Sequence, residues 1–129
     1  MDISNEYIQM CVTAIDIQEL WTHSRRTSGD WYYNVVLDKA YVVSFQEQRD
    51  EVCYWLPRQD QLQELLTKKL GWKLRALRDA LNITLWKIHS MDSFEKAWLC
   101  TVMKNLYWKE WNSLSQKWEE KLVNKKRFI

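Results

Sequence analysis

Glycine, proline and cysteine are all scarce in this 129-residue chain, with two, one and three of them respectively. So few glycines exclude a Gly-rich phosphate loop, and the chain contains neither a P-loop motif nor a Gly-x-Ser-x-Gly elbow. The odd number of widely spaced cysteines, Cys11, Cys53 and Cys100, argues against a disulfide framework and against secretion. We therefore expect reduced, buried thiols and no P-loop nucleotide hydrolysis.

Long apolar runs and a strong net charge are missing as well. No run approaches the ~18 apolar residues that a membrane-spanning helix needs, and Met1–Glu6 lacks the basic-then-apolar order of a signal peptide. The balance of 19 Lys and Arg against 17 Asp and Glu leaves a formal charge of +2, which gives no global attraction to nucleic acid or to anionic membranes. We expect a cytoplasmic protein that makes no membrane contact.

The residues that are abundant predict a folded chain. A hydrophobic fraction of 47% with 28% charged residues excludes an intrinsically disordered protein, and the length is that of one domain, residues 1–129. The chain is rich in tryptophan, with nine residues: Trp21, Trp31, Trp55, Trp72, Trp86, Trp98, Trp108, Trp111 and Trp118. We expect most of them to fill a core with each indole N–H satisfied at its margin; the alternative is a surface that stacks nucleobases or another planar ligand.

Hydrophobic spacing predicts an α+β domain, a three-stranded antiparallel meander packed with four to five helices. A first helix over 5–21 and a polar loop over 22–30 precede the sheet. Strands are predicted over 31–37, 40–45 and 52–56, with a turn at Asp38-Lys39 and with Pro57 ending the last strand.

Helices dominate the prediction after Pro57. Two are expected over 58–70 and 72–81, while 82–88 fits either a helix or a short strand. Asp92 and Glu95 resemble a capping box ahead of an apolar stripe centred on Trp98, whose replacement by alanine is expected to cost ~3–5 kcal/mol. A final helix is predicted from the three-or-four spacing of Trp111, Leu114, Trp118 and Leu122.

Residues for catalysis or metal binding do not form a recognisable pattern. His23 and His89 are far apart, and neither has a cysteine or carboxylate at a zinc-ligand spacing. No nucleophile with a base and no pair of tuned carboxylates stands out. We predict no metal and no cofactor, and the sequence favours a non-enzymatic protein without deciding the question.

Two polar clusters are candidate sites. The first is predicted at a strand-to-helix junction, where unpaired backbone N–H groups favour anions and partner contacts; its residues are Arg58, Gln59, Asp60 and Gln61, with Trp31 and Tyr33 from the neighbouring strand. The alternative is structural, with Asp60 complementing the helix dipole. The second cluster is basic and aromatic, consisting of Lys68, Lys69, Trp72, Lys73 and Arg75, and suits a nucleic-acid patch. Its alternative is a solvated helix surface balanced by Glu64 and Asp79.

Several stretches resemble a group of small proteins encoded in bacteriophages and prophages. They are Gly29–Tyr33, Trp55–Leu66 and Ser93–Met103, with a weaker match at Lys109–Asn112. The chain departs from the group at Trp108, where similar sequences carry glycine, and at Lys96, where glutamine is commoner. The resemblance implies a phage-derived origin and no assigned activity, and it carries over no catalytic residue.

Three functions remain open. The first is a non-enzymatic phage or prophage accessory or regulatory protein that binds an unidentified host or phage protein, since Tyr, Trp and Arg dominate binding hot spots. The second is a single-stranded nucleic-acid-binding protein that uses the basic cluster. The third is a small-molecule-sequestering protein, or an unrecognised enzyme, with a pocket near Trp31, Tyr33, Arg58 and Asp60.

Overall fold

The computed structural model describes residues 1–22, 29–43, 53–71, 79 and 92–120, and they confirm the predicted α+β class. They fall into two compact units, one of Met1 with Ile3–Arg58 and one of Asp2 with Gln59–Ile129. The first unit contains α1 (Asn5–Thr13), α2 (Ile15–Thr22), β1 (Trp31–Asn34), β2 (Lys39–Val42) and β3 (Cys53–Leu56). The second contains α3 (Gln59–Leu70), α4 (Phe94–Tyr107), β4 (Lys109–Asn112) and β5 (Lys117–Glu120).

The first helix is interrupted, so the prediction of one continuous helix over 5–21 is wrong. Ser4 caps α1 as expected, since its Oγ accepts the Tyr7 N–H at 3.2 Å. Ala14 then leaves the helical conformation with φ −82° and ψ 75°. The Cys11 carbonyl that this break releases accepts the Ala14 N–H and the Gln18 Nε2 at 3.1 and 3.0 Å. Hydrophobic spacing continues through such a break, because one non-helical residue barely shifts the apolar stripe.

The three-stranded antiparallel sheet is confirmed, and its strand order is β2-β1-β3. The middle strand is therefore β1, and β3 pairs with β1 rather than with β2. Residues 43–52 separate β2 from β3, and a connection longer than a hairpin loop does not oblige them to pair.

The strands are shorter than predicted, and the turn between β1 and β2 is longer. Val35–Leu37 and Asp38 form a four-residue turn, whereas the apolar composition of 31–37 predicted strand up to Leu37. Three apolar residues favour a strand only where a neighbour covers one face, and here all three are exposed.

Helices α1 and α2 pack on β3 and build the core of the first unit. The core residues are Tyr7, Met10, Cys11, Ala14, Ile17, Trp21, Val43, Trp55 and Leu56. At its centre, the Tyr7 Oη donates to the Pro57 carbonyl at 2.5 Å. Tyr7 can therefore be buried without leaving a polar group unsatisfied, because its hydroxyl has a hydrogen-bond partner inside the core.

In the second unit, α3 and α4 pack against each other. Helix α3 confirms the predicted helix over 58–70 to within one residue, and Gly71 follows it at φ +63°. Helix α4 is buried on all sides from Lys96 to Met103, including Trp98, which is 1% exposed. The expected core role of Trp98 is thus consistent with its burial. The Lys96 ammonium, which sequence reasoning did not place in a core, pairs with the Asp92 Oδ1 at 2.8 Å.

The cap of α4 differs from the prediction. Ser93, not Asp92, is the N-cap residue, and its Oγ accepts the Lys96 N–H at 3.1 Å. Glu95 accepts the Asp2 N–H at 2.8 Å, and the Ser93 hydroxyl donates to the Asp2 Oδ2. The Asp-x-x-Glu pattern therefore predicted the start of α4 correctly but assigned the cap to the wrong residue. Asp92 has a left-handed backbone, with φ 59°, and its carboxylate pairs with Lys96.

The predicted final helix is wrong, because its residues form the β4-β5 hairpin. Helix α4 is capped by Trp108, whose φ of 60° is left-handed, a conformation that favours glycine. Trp111 and Trp118 are direct cross-strand partners with ring centroids 5.2 Å apart. A separation of seven residues suits two helical turns and equally a hairpin with a four-residue turn, so spacing alone misassigned this segment. Within the predicted helix over 72–81 the structure describes Asp79 alone, and it is helical; the ambiguous 82–88 and the basic residues after 120 lie outside the described residues.

Candidate functional site

The turn between β1 and β2 presents three consecutive apolar side chains to water. Val35, Val36 and Leu37 are all exposed, and Val36 retains 73% of its accessible surface. The turn has a defined shape, since the Leu37 N–H donates to the Asn34 Oδ1 at 3.1 Å. Asp38 closes it at φ 51°, a left-handed conformation that Asp and Asn adopt more readily than other side chains. These five residues, 34–38, are called the apolar turn below.

A second hydrogen bond fastens the apolar turn to β1. The Tyr33 Oη donates to the Asp38 Oδ1 at 2.5 Å. This hydrogen bond, followed by desolvation and by the negative charge of Asp38, raises the pKa of Tyr33 above its ordinary value of 10.0. A tyrosine is protonated at neutral pH, so the hydroxyl has a proton to donate to Asp38 there.

Trp31 and Tyr33, two of the predicted site residues, occupy alternate positions of β1 and so share one face of the sheet. Both are half-buried, and Tyr33 lies opposite Ala40 on one side and Tyr54 on the other. The face that carries Tyr33 is thus continuous with the apolar turn through the bond to Asp38.

Arg58 holds a β-bulge at the start of β1. Gly29 and Asp30 together lie opposite Val43, because the Gly29 N–H donates to the Val43 carbonyl and the Val43 N–H to the Asp30 carbonyl, both at 2.8 Å. Gly29 has φ +95°, as the first residue of a G1 bulge does. The Arg58 Nη1 donates to the Gly29 carbonyl at 2.6 Å. The half-buried guanidinium has a structural contact, and its recognition role stays a prediction.

The rest of the predicted junction site lies in the other unit. Gln59, Asp60 and Gln61 form the first turn of α3, and Asp60 is exposed there. An acid in the first turn is what the helix dipole favours, so the position of Asp60 fits the structural alternative. The structure thus distributes the six predicted residues over the two units.

The basic cluster is described only in part. Lys68 and Lys69 are exposed in the last turn of α3, and the Lys68 Nζ pairs with the Glu64 Oε1 at 2.8 Å. This i,i+4 pair matches the alternative of a solvated, charge-balanced helix surface. Trp72, Lys73 and Arg75 lie outside the described residues.

The β4-β5 hairpin bears a groove of about 400 Å³. Its lining residues are Glu110, Trp111, Asn112, Ser113, Leu114, Glu119 and Glu120. Glu110 and Glu119 are cross-strand partners, and the Glu119 Oε1 accepts from the Asn112 Nδ2. The groove is acidic, but within the part of the chain that the structure describes no three His, Cys, Asp or Glu side chains are grouped to hold a metal ion.

Cysteines and tryptophans follow the predicted packing in most respects. Cys11 and Cys100 are buried and Cys53 is half-buried, all as free thiols.

Among the described tryptophans, Trp21, Trp55 and Trp98 are buried and the others are half-buried. The expectation that each indole N–H is satisfied is wrong for Trp55, Trp98 and Trp111, whose buried Nε1 atoms have no hydrogen-bond partner within residues 1–22, 29–43, 53–71 and 92–120.

Sequence reasoning missed the apolar turn because it assigned Val35–Leu37 to a strand, yet a signal was present. The two hairpins share an Asn at the end of the first strand, a left-handed residue four positions later and a Lys directly after it. The residues are Asn34, Asp38 and Lys39 in one hairpin and Asn112, Gln116 and Lys117 in the other. Asn side chains that accept from the backbone two or three residues on are turn-forming, so this repeat predicts both turns.

Comparisons of the chain with protein-family models, with curated proteins and with solved structures found no match. Among the described residues, none of the helices has the length and apolar character needed to cross a membrane. The site therefore has to be interpreted from its own geometry.

Proposed function

We propose that this chain is a non-enzymatic accessory or regulatory protein of phage or prophage origin that works by binding another protein through its apolar turn. The observation that carries the proposal is the exposure of Val35, Val36 and Leu37 on a turn held at both ends. Turn positions ordinarily carry Gly, Asn, Asp, Ser or Pro. Three consecutive apolar residues there add nothing to a core and favour contact with an apolar partner surface.

The geometry of the turn supports binding in a second way. Association is weakened when flexible loops have to be ordered, and a pre-organised loop avoids part of that entropy loss. The bonds from Leu37 to Asn34 and from Tyr33 to Asp38 fix the turn before any partner arrives. Half-buried aromatic residues beside the turn, Tyr33 and Tyr54, supply the kind of side chain that dominates binding hot spots.

The other two functions are less well supported by the described residues. Single-stranded nucleic-acid binding needs cations free to meet phosphates, and Lys68 is engaged by Glu64. A small-molecule pocket near Trp31, Tyr33, Arg58 and Asp60 would draw on a guanidinium that is already bonded to Gly29. Both functions stay predictions.

Site-specific photo-cross-linking tests the proposal. A benzophenone amino acid is placed at Val36, and, as a matched control, at Leu114, which is 96% exposed on the turn of the β4-β5 hairpin. Irradiation in lysate of a prophage-carrying bacterial host should give a discrete protein adduct from position 36 and none from position 114. The adduct should disappear when Leu37→Ser is added, while the melting temperature stays unchanged because Leu37 is exposed. Equal adducts at both positions, or none at position 36, would contradict the proposal.

A further inference from the structure

The outer edge of β2 carries backbone groups that none of the described residues pairs with. In antiparallel pairs, residues alternate between hydrogen-bonded and non-hydrogen-bonded positions. Val43 is hydrogen-bonded to the bulge at Gly29 and Asp30, so alternation makes Tyr41 and Lys39 the hydrogen-bonded partners of β1. The N–H and C=O groups of Ala40 and Val42 therefore point away from β1.

The opposite edge of the sheet confirms this alternation and shows how an edge is closed here. The same alternation along β1 and β3 makes the N–H and C=O groups of Trp55 point away from β1, towards the outer side of β3. Its N–H donates to the Gln18 Oε1 at 2.7 Å, and its C=O accepts from the Gln18 Nε2 at 2.8 Å. A buried carboxamide thus replaces a neighbouring strand on β3, whereas no described residue does so for Ala40 or Val42 on β2.

We infer that a second copy of this chain pairs with the β2 edge, joining two sheets across a two-fold axis. The two β2 strands run antiparallel, with Ala40 of one copy opposite Val42 of the other. In this register, the outward N–H and C=O groups of both residues all find partners. The two-fold axis produces two such Ala40–Val42 pairs. Each pair forms two N–H···O=C hydrogen bonds, so the interface contains four. The two-fold axis passes beside Tyr41, which becomes a non-hydrogen-bonded neighbour of the second copy's Tyr41.

The side chains suit this register on both faces. On one face Tyr41 already stacks on Tyr32, with ring centroids 5.7 Å apart and an interplanar angle of 28°. Since non-hydrogen-bonded partners approach to ~4.5 Å between Cα atoms, the second copy's Tyr41 extends this stack. On the other face Val42, which is 44% exposed, meets the second copy's Ala40.

Charges also permit the pairing. The only charged side chain of β2, Lys39, lies opposite the second copy's Val43. The two lysines are offset by four residues, or ~13 Å along the strands, so like charges do not face each other. The pairing of Tyr41 with its own counterpart, which extends the Tyr32–Tyr41 stack, favours a second copy over a strand of unrelated sequence. The contact is small, and it should give weak, concentration-dependent association.

Sedimentation velocity on the full chain tests the inference over a concentration range of about 5 to about 500 µM, which brackets the micromolar affinities of weak association. The parent should shift from monomer towards dimer as concentration rises. Val42→Pro removes an outward N–H and leaves the β1-β2 ladder intact, so it should stay monomeric with the β-sheet signal of the parent. Val36→Ser, which changes only the apolar turn, should dimerise like the parent.

A charge pair on the axis gives the sharper test. Tyr41→Glu and Tyr41→Lys should each be monomeric, because each variant opposes like charges at the axis, and an equimolar mixture should recover the dimer. A parent that remains monomeric throughout the range, or a dimer that persists in Val42→Pro and in both charged variants, would overturn the inference. The inference does not depend on the proposed function, since Val36→Ser separates partner binding from self-association.

Discussion

Single buried polar side chains stabilise the first unit by satisfying backbone groups that secondary structure leaves open. Gln18 does this at two places, because its carboxamide bonds both backbone groups of Trp55 and the Cys11 carbonyl beside the helix break. Tyr7 does the same for the Pro57 carbonyl. An amide or hydroxyl in an apolar core is stabilising only when all of its partners are in place.

Replacing Gln18 with Met is expected to destabilise the protein by at least about 2 kcal/mol. Methionine keeps the length of the side chain but leaves two buried backbone groups, the Trp55 N–H and C=O, without a partner, each worth about 1–3 kcal/mol. The Cys11 carbonyl also loses a donor but keeps the Ala14 N–H. Chemical denaturation gives the free energy of unfolding, with Gln9→Met, in the half-buried part of α1, as the control. Similar stabilities for the two variants would show that the Gln18 contacts contribute little.

Tyr33 provides a pH-dependent prediction. Its pKa is raised in the folded state, so the bond to Asp38 contributes stability below the ordinary value of 10.0 and loses it as the pH rises through the folded pKa. Asp38→Asn should return the Tyr33 pKa towards 10.0, because a neutral amide removes the carboxylate acceptor and its charge. NMR titration of the labelled Tyr33 phenol measures this, with Asp16→Asn as the control variant. Identical Tyr33 titrations in the parent and in Asp38→Asn would refute the assignment.

Trp98 is the third test at this scale. Truncation to alanine is expected to cost ~3–5 kcal/mol, because the ring is 1% exposed in a helix buried on all sides. Trp98→Phe should cost much less, since its indole N–H has no partner among the described residues. Thermal and chemical melts compare the two variants, and an unchanged melt for Trp98→Ala would remove the residue from the core.

At the scale of elements, the β4-β5 hairpin shows how a turn overrides hydrophobic spacing. The Asn112 Oδ1 accepts the N–H groups of Leu114 and Ser115 at 3.0 and 3.3 Å, and Gln116 is left-handed at φ 54°. Leu114, a supposed member of an apolar helical stripe, is almost fully exposed. The segment therefore reverses direction after Asn112 and pairs its two tryptophans across the strands.

Glycine substitutions distinguish the hairpin from a helix. Gln116→Gly should stabilise the protein by about 0.5–1 kcal/mol. Glycine relieves the strain of ~1–2 kcal/mol that a left-handed backbone imposes on other residues, but it also loses more backbone entropy on folding, which offsets part of that gain. Ser115→Gly, at a position with negative φ, should destabilise it slightly. A helix would lose about 1 kcal/mol at both positions. Unfolding free energies of the two variants decide between these outcomes.

At the scale of the whole molecule, formal charge is nearly balanced, and among the described residues three exposed apolar side chains follow one another at one turn. A formal charge of +2 gives no field that would draw in a polyanion, and the apolar turn has no cation among residues 34–38. The two features together favour a partner that is bound by desolvation rather than by charge.

Salt dependence tests this expectation. The affinity for the protein identified by cross-linking should change less than about threefold between about 50 and about 500 mM NaCl, because burial of apolar side chains releases no counterions. Single-stranded nucleic acid would behave differently, since each phosphate contact lowers the affinity about fivefold over that range. A steep decrease with salt would favour the nucleic-acid function and the basic cluster around Trp72.

The sequence by itself determined the α+β class, the three strands over 31–56, the helix that starts after Pro57 and the buried stripe around Trp98. These features depend on local periodicity and on residues whose backbone preferences are strong. Tertiary structure decided the break at Ala14, the middle position of β1 and the contact of Arg58 with the bulge. Each of these depends on a partner distant in the chain, such as Gln18 for Trp55 or Arg58 for Gly29. A distant partner changes neither spacing nor composition, so a local pattern does not reveal it.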